Sequence, residues 1–297
     1  MNQTKRALVT GASGYVGHHV ATQLVDAGWG VSVMIRPTSD VQILENIKDQ
    51  IRFYEDDGTV DFVNRMVETV KPDVIFHLAA VVAADDTPSE IQNMIDSNLG
   101  LGIQILEAMR KHGCPHLINT GTFWSYSDVG EPDPVNTYAA MKLAMEQLID
   151  FFTNVSDISA ITLNLGDVYG PNDWRPKLLN QLRRALDSGQ QLKLTPGDQL
   201  INLVHVSDVA EAYLVAAENL LSLGISGHEK YSVSSMEQHS VKELIKRISS
   251  VSGCEVPVVL GALSYRTREI MVPWHGARLP NWKPEVDLTN GLHELFG

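Results

Sequence analysis

Apolar residues in the first half of the chain alternate between two textures. Short β-branched runs, Ala7 to Val9, Val31 to Ile35, Ile51 to Tyr54, Val74 to Leu78, Leu117 to Asn119 and Ile161 to Leu165, each have the length of one strand. Between them lie amphipathic segments of helical length: Tyr15 to Ala27, Val60 to Val70, Ser89 to Lys111 and Thr137 to Asn154. This succession predicts a parallel sheet of six strands covered by helices. Local signals fix some boundaries. Gly28 stops the first helix, and Thr87, Pro88 and Glu90 supply an N-cap, a first-turn proline and the glutamate of a capping box.

After Tyr169 the elements shorten and turn clusters appear, such as Gly170 to Asp173 and Thr195 to Asp198. Ser240 and Glu243 form a second capping box that opens Val241 to Val251, and Leu288, Leu292 and Leu295 share one face of a final helix. The expected fold is α/β: a Rossmann-type, doubly wound parallel sheet over residues 1–168, with a smaller C-terminal substrate-binding lobe, mainly residues 169–297, from which segments can return to the sheet. The cleft between the two is the expected ligand site.

Composition narrows the function classes. Among 297 residues, 23 Lys and Arg stand against 36 Asp and Glu, a net charge of −13, and 44% are hydrophobic. Nucleic-acid binding is disfavoured, because neutralising backbone phosphates needs clustered cations and Arg183-Arg184 and Lys242 with Lys246-Arg247 are short pairs. Two cysteines, Cys114 and Cys254, make no disulfide framework. The run from Val74 to Ala84 is broken by His77 and falls short of the ~20 apolar residues of a membrane span. The N-terminus lacks the apolar segment of a signal peptide, so a cytoplasmic location is expected.

Candidate chemistry begins at the first strand-to-helix turn, Thr10-Gly11-Ala12-Ser13-Gly14-Tyr15-Val16-Gly17. Glycines there permit a tight turn, close approach of a pyrophosphate and close helix packing, while the helix N-terminus offers free N–H groups. The second strand is followed by Arg36, Pro37, Thr38, Ser39 and Asp40. Arg36 suits a ribose 2′-phosphate, with Thr38 or Ser39 donating hydrogen bonds, and this favours NADP (NADPH) over NAD. Asp57 is either an acceptor for the adenine amino group or a turn residue. Further on, Tyr138 and Lys142 lie four residues apart near the start of a helix, hence on one face. A cation beside a phenol of ordinary pKa ~10 moves it toward working pH as a proton donor or acceptor.

These motifs, with His77-Leu78-Ala79-Ala80, Asn98, Val168-Tyr169-Gly170-Pro171, Val204 to Val209 and Trp282-Lys283-Pro284, make the chain resemble the extended short-chain dehydrogenases/reductases of the NAD-dependent epimerase/dehydratase group. The resemblance runs nearly end to end. It implies a Ser/Thr, Tyr, Lys triad acting on a carbonyl or alcohol, most often of a nucleotide sugar. By position the triad is Thr122, Tyr138 and Lys142, with Thr120 and Ser125 as weaker hydroxyl candidates. Implied cofactor contacts are Gly11, Ser13, Gly14, Tyr15, Val16, Gly17, Arg36, Ser39, Asp57, Leu78, Ala79, Ala80, Asn98, Tyr138, Lys142, Leu165 and Val168. No metal is implied.

Within the group, epimerases recycle a tightly held NAD whereas reductases exchange NADPH, so Arg36 points to a reductase. The wording around Thr122, Leu165 to Pro171 and Arg266 to Met271 resembles the 4-ketoreductases of deoxysugar biosynthesis, of the CDP-abequose synthase type. Alternatives are a reductase of a non-nucleotide carbonyl, similar to the dihydroflavonol-reductase branch, an epimerase of nucleotide sugars, and a silent NADP-binding regulator. Two departures matter, the first for the substrate and the second more for structure. Ile201-Asn202-Leu203 stands where the family commonly carries an arginine on the diphosphate, and Asn164 replaces an arginine of the sixth strand. Arg266, Arg175 and Lys177 are the candidate phosphate contacts, with Thr122 and Phe123 nearer the reacting group. Glu146, one turn past Lys142, reads as a helix-surface residue. A homodimer is expected, because the helices 89–111 and 137–154 often build the interface in this family. An acidic chain would then hold two polyanions through local features: helix N–H groups, Arg36, Lys142 and Arg266.

Overall fold

The computed structural model of the chain describes residues 4–82 and 87–297. Seven parallel strands form the central sheet: β1 Arg6–Thr10, β2 Gly30–Ile35, β3 Ile51–Glu55, β4 Val74–His77, β5 His116–Thr122, β6 Ser159–Leu165 and β7 His228–Val233, in the order β7-β6-β5-β4-β1-β2-β3. The order reverses beside β1, where such sheets open a crevice for a ligand. Nine α-helices are present among the described residues: α1 Tyr15–Asp26, α2 Phe62–Val70, α3 Pro88–Ile95, α4 Leu101–His112, α5 Thr137–Val155, α6 Leu178–Ser188, α7 Val206–Ser222, α8 Val241–Ser252 and α9 Leu288–Phe296.

Period-two alternation assigns each strand residue to a layer. Ala7 and Val9, Phe76, Ile118, Ile161 and Leu163 pack with α1 and α7 on one side, while Leu8, Ile75, Leu117 and Ala160 pack with α2, α4 and α5 on the other. A third apolar cluster, built from Leu179 and Leu182 of α6, Leu244 and Ile248 of α8, and Leu292 and Leu295 of α9, forms the core of the smaller lobe.

The sheet has one strand more than the six expected. Its seventh, β7, comes from the second half of the chain and pairs with β6 from His228 to Val233. The helix α7 returns as well, packing on the sheet beside α1. The C-terminal segment is fastened to that helix: Trp282 Nε1 donates to the Asp208 carbonyl at 2.9 Å, and the Asp208 carboxylate accepts from the N–H groups of Glu285 and Val286.

Several boundaries also differ. The helix expected from Ser89 to Lys111 is divided by a π-helical segment, Asp96–Gly100, between α3 and α4. Val60 is exposed and precedes α2, and Gln42–Gln50, without a strong pattern, is a 3₁₀ helix. The N-caps form as expected, although Glu90 takes the Thr87 hydroxyl instead of completing a capping box at α3. Gly28, at φ 79°, ends the turn after α1, Thr87 caps α3 with Pro88 in its first turn, and Ser240 with Glu243 makes a reciprocal capping box. Of the apolar run Val74 to Ala84, Ala83 and Ala84 lie outside the described residues, as do Met1 to Gln3. No helix of the described residues is long and apolar enough to cross a membrane.

Candidate active site and cofactor groove

The glycine-rich turn leaves β1 and enters α1 with almost no spare room. Gly11 has φ 75°, and a Cβ there would lie 2.6 Å from the backbone nitrogen of Ala79. A Cβ at Gly17 would lie 2.0 Å from the Gly11 carbonyl oxygen. The β1–α1 turn and the loop after β4 therefore touch through backbone alone. Thr10 Oγ1 joins the two, accepting from Ala79 N at 3.2 Å and bonding His77 Nδ1 at 2.9 Å. Burial and the nearby Lys142 charge bring the His77 pKa down to about 3, so the ring is neutral. It serves the loop.

A groove of about 800 Å³ runs over this turn, lined by Gly11, Ser13, Gly14, Leu78, Ala79 and Ala80 among others, and reaches Arg36 and Ser39. Arg36 is exposed, and its N–H donates to Ser39 Oγ at 3.0 Å in the turn after β2. The room, the side-chain-free floor and the N–H groups of α1 fit an NAD(P) dinucleotide.

Several expected contacts are placed otherwise. Asp57 turns away to Arg65 and Thr59, whose hydrogen bonds hold its carboxyl below the usual carboxylate range; it is Asp56 that lines the groove. The Tyr15 side chain is buried toward the smaller lobe, donating to the Pro171 carbonyl at 3.1 Å beneath the Arg175 guanidinium, so its share in the groove is confined to the helix start. Asn98 spends both ends of its amide on Val81, accepting from its N–H and donating to its carbonyl, each at 2.8 Å. It clamps the loop that lines the groove. Val16 is half-buried against the sheet core, and Leu165 and Val168 are core residues, Val168 also facing the substrate cleft.

The helix α5 starts where Asn136 Oδ1 accepts from Ala139 N at 2.8 Å, which places Tyr138 in its first turn and Lys142 one turn on. The Lys142 ammonium is 5.8 Å from the centre of the Tyr138 ring and only 1% of the residue is exposed. Burial lowers its pKa to about 8, against the pull of Glu146, and burial raises Tyr138 to about 12. The expected depression of the phenol by Lys142 is thus absent here, because desolvation dominates and the cation that opposes it is Arg175. Thr122 ends β5, and its hydroxyl accepts from Trp124 N at 3.3 Å. Thr120 is bonded to the His77 carbonyl and Tyr213, and Ser125 to the Ala139 carbonyl, so Thr122 is the freest of the three hydroxyls.

Beside Thr122 opens a cleft of about 150 Å³, walled by Phe123, Trp124, Asp167, Val168, Lys177, Leu200, Ile201 and Glu269 among others. Lys177 reaches it, its ammonium 5.3 Å from the Trp124 ring. Arg175 does not offer a free fork: its guanidinium pairs with Asp173 at 2.8 Å, donates to the Val168 carbonyl at 3.0 Å and covers Tyr15. Arg266 is exposed outside the cleft, with its backbone N–H on Glu269, and Arg268 pairs with Asp133. Ile201 stands in the place of the missing arginine, and its neighbour Asn202 is buried, holding the turn at Ser235 to Glu237.

Two residues gain importance that their sequence positions did not reveal. Asp167 places a carboxyl in the cleft wall, where burial raises its pKa against Lys177 and Arg175. Glu146, expected on the helix surface, is fully buried, accepting from Tyr126 and ion-paired with Lys230 at 3.4 Å, with Asn164 beside it. A buried strand neighbour rather than solvent meets this helix face, so an acidic residue there requires partners.

Comparison with known proteins agrees with this geometry. The chain is 30% identical over 272 residues to a CDP-abequose synthase of Yersinia pseudotuberculosis, covering 90% of this chain and 91% of that one. It is 26% identical over 299 residues to a CDP-abequose synthase of Salmonella typhimurium, at 97% and 96% coverage. Among solved structures, a UDP-glucose-4-epimerase from Stenotrophomonas maltophila with bound NAD and formylated UDP-arabinopyranose superposes with a TM-score of 0.87 at 22% identity, over 98% of this chain and 97% of that one, a likeness of fold. Residues 7–228 match the NAD dependent epimerase/dehydratase family. With that match laid over the glycine turn, the sheet and the Tyr138–Lys142 helix, the chain belongs to the NAD-dependent epimerase/dehydratase family, as an enzyme of the extended short-chain dehydrogenase/reductase type.

Proposed function

We propose that the protein reduces a 4-keto group on a nucleotide-activated deoxysugar, using NADPH. The observation that carries this reading is the ribose end of the groove, where β2 is followed by the exposed guanidinium of Arg36 and by Ser39 rather than by a carboxylate. A free arginine there matches a 2′-phosphate and leaves the ribose hydroxyls of NAD without their usual acceptor. The CDP-abequose synthases spanning the whole chain support the substrate class.

When bound, the reduced nicotinamide supplies a hydride. The chain's own part is to orient the carbonyl and to deliver a proton. Thr122 Oγ1 holds the carbonyl oxygen, and Tyr138 donates its phenolic proton to that oxygen as charge develops. A phenol raised to about 12 is protonated throughout the neutral range, which is the form a proton donor needs. Lys142 carries positive charge beside the phenolate left behind. Lys177, at the mouth of the cleft, is the cation placed for a substrate phosphate.

The second reading is an epimerase that recycles its cofactor, favoured by relatives such as the UDP-glucose 4-epimerase of Bacillus subtilis, 25% identical over 284 residues. A reductase of a non-nucleotide carbonyl is favoured by the apolar wall of Leu200, Ile201 and Leu203. One assay separates them: NADPH and NADH are offered with 4-keto sugars and with the corresponding 4-hydroxy sugars carried on CDP, dTDP, GDP and UDP, and with ketones that carry no nucleotide. Net NADPH oxidation with one nucleotide is expected. Epimerisation without net oxidation would overturn the proposal in favour of the second reading, and oxidation confined to carbonyls without a nucleotide would overturn the substrate class.

We also propose a homodimer, on the exposed Ile95 and Ile103 of α3 and α4 and the exposed Phe151 and Val155 of α5. Sedimentation as a monomer at all concentrations would remove it.

A further inference from the structure

We infer that Glu146 is a positioning residue for the reaction: its buried carboxylate is the counter-charge that holds Lys142 in the ammonium form. The inference rests on the assignment of Lys142 to the proposed site and adds a group acting through it.

Lys142 and Glu146 are one turn apart on α5, and both face the sheet. Their exposures are 1% and 0%. An ammonium so far from water keeps its charge only where an anion or a set of acceptors compensates for lost hydration. The ionisable groups around Lys142 are Tyr138 and Glu146 on its own helix and His77 on β4. Tyr138 is a protonated phenol and His77 a neutral ring, which leaves the Glu146 carboxyl as the group of this set placed to balance the ammonium.

Burial pushes the Glu146 carboxyl up, and Tyr126, Lys230 and Asn164 oppose that rise by favouring its ionised form. Its Oε2 accepts from Tyr126, which stacks on Trp274 at 4.4 Å, and takes the Lys230 ammonium at 3.4 Å. Lys230 is tied in turn to Asp150 at 3.1 Å, and Asp150 to His228 Nδ1 at 2.7 Å. The other oxygen, Oε1, meets no hydrogen-bond donor among the described residues. One oxygen is thus committed to Tyr126 and Lys230, and the other lies in the buried layer between α5 and the sheet, beside the Asn164 amide. Burial pulls Lys142 down toward neutrality and Glu146 opposes it, so removing the carboxylate charge should lower the pH at which Lys142 gives up its proton.

The competing account is that Glu146 serves only as an anchor for Tyr126 and Lys230. The full-length protein labelled with ¹³C at lysine Cε separates the two, with the Lys142 resonance identified by its loss in Lys142→Met. Neither cofactor nor substrate is needed, so the outcome is independent of the NADPH assay. In Glu146→Gln, which keeps the shape and removes the charge, the Lys142 midpoint should fall by about one pH unit or more. Glu146→Asp, which keeps the charge, should restore most of the midpoint even where it leaves the melting temperature lowered. A Lys142 midpoint in Glu146→Gln equal to that of the wild type overturns the inference, whatever happens to stability. Should Glu146→Gln fail to fold, Glu146→Thr, of smaller volume and likewise uncharged, decides by the same comparison with Glu146→Asp: equal midpoints overturn the inference, and a lower one in the threonine variant supports it.

Discussion

The two ligand spaces of this protein are built in opposite ways. The dinucleotide groove is floored by backbone, with Gly11 and Gly17 admitting no Cβ and the loop after β4 pressed directly against the turn. Arg36, the cation that lines the groove after β2, is exposed. The substrate cleft is walled by side chains, and polar groups around it are already committed: Arg175 to Asp173, Arg268 to Asp133, and the neutral amide of Asn202 to a turn. Backbone geometry suits a ligand part that never varies, such as a pyrophosphate. Side chains suit a part that relatives exchange, and a departure there changes the substrate without disturbing the fold.

The largest effect that should sharpen the contrast lies where the two spaces meet. Tyr138→Phe removes the proposed proton donor and almost nothing else, since the ring remains to pack against its neighbours. Turnover should fall by about 10²–10⁴-fold, the usual contribution of a positioned general acid, with NADPH affinity little changed. Stopped-flow hydride transfer and fluorescence titration of NADPH measure the two quantities separately. Near-normal turnover would discard the assignment of Tyr138, and a parallel loss of NADPH affinity would mean that the ring belongs to the groove.

An intermediate effect tests the groove alone. Arg36→Asp replaces a proposed 2′-phosphate contact with an acceptor for a ribose hydroxyl. A charge-assisted hydrogen bond is worth about 1.5–3 kcal/mol, so NADPH affinity should weaken by roughly 10- to 100-fold while NADH is held as well or better. Equal losses for the two cofactors, by calorimetry, would sink the preference for NADP. Melting temperature should hardly move, because Arg36 is exposed and outside every apolar cluster.

The same contrast explains what could be read from sequence. The turn Thr10 to Gly17, the strands β1 to β6 and the Tyr138–Lys142 spacing were legible because backbone constraints and strand periodicity restrict which residues can stand there. The seventh strand was not. His228 and Lys230 pair with Asp150 of α5 and the Ser232 hydroxyl bonds Ser234, so β7 lacks an apolar run, and only its pairing with β6 reveals it. The π-helical segment carrying Asn98 and the burial of Glu146 were hidden for a related reason: a polar residue at helical spacing looks like a solvated face until its partners on other elements are known. In the cleft, the sequence put Arg266 ahead of Arg175 and Lys177 as a phosphate contact, and the fold separates and reorders them: Lys177 lines the cleft, Arg175 is paired with Asp173, and Arg266 is exposed outside it.

That separation gives the smallest effect of the series. Lys177 stands at the cleft over Trp124, whereas Arg266 is exposed outside it. With a nucleotide-sugar substrate, Lys177→Met should raise KM by roughly tenfold at low salt, because one charge-assisted phosphate contact is lost near solvent. Arg266→Met should change KM less than about twofold, since Arg266 is exposed, does not line the cleft, and its charge is screened by solvent. KM measured for both variants across a salt series orders the two cations. A larger effect from Arg266 would mean that residues 266–271 fold onto the substrate when it binds, and the substrate cleft would then be completed by its ligand while the dinucleotide groove is already formed by the backbone.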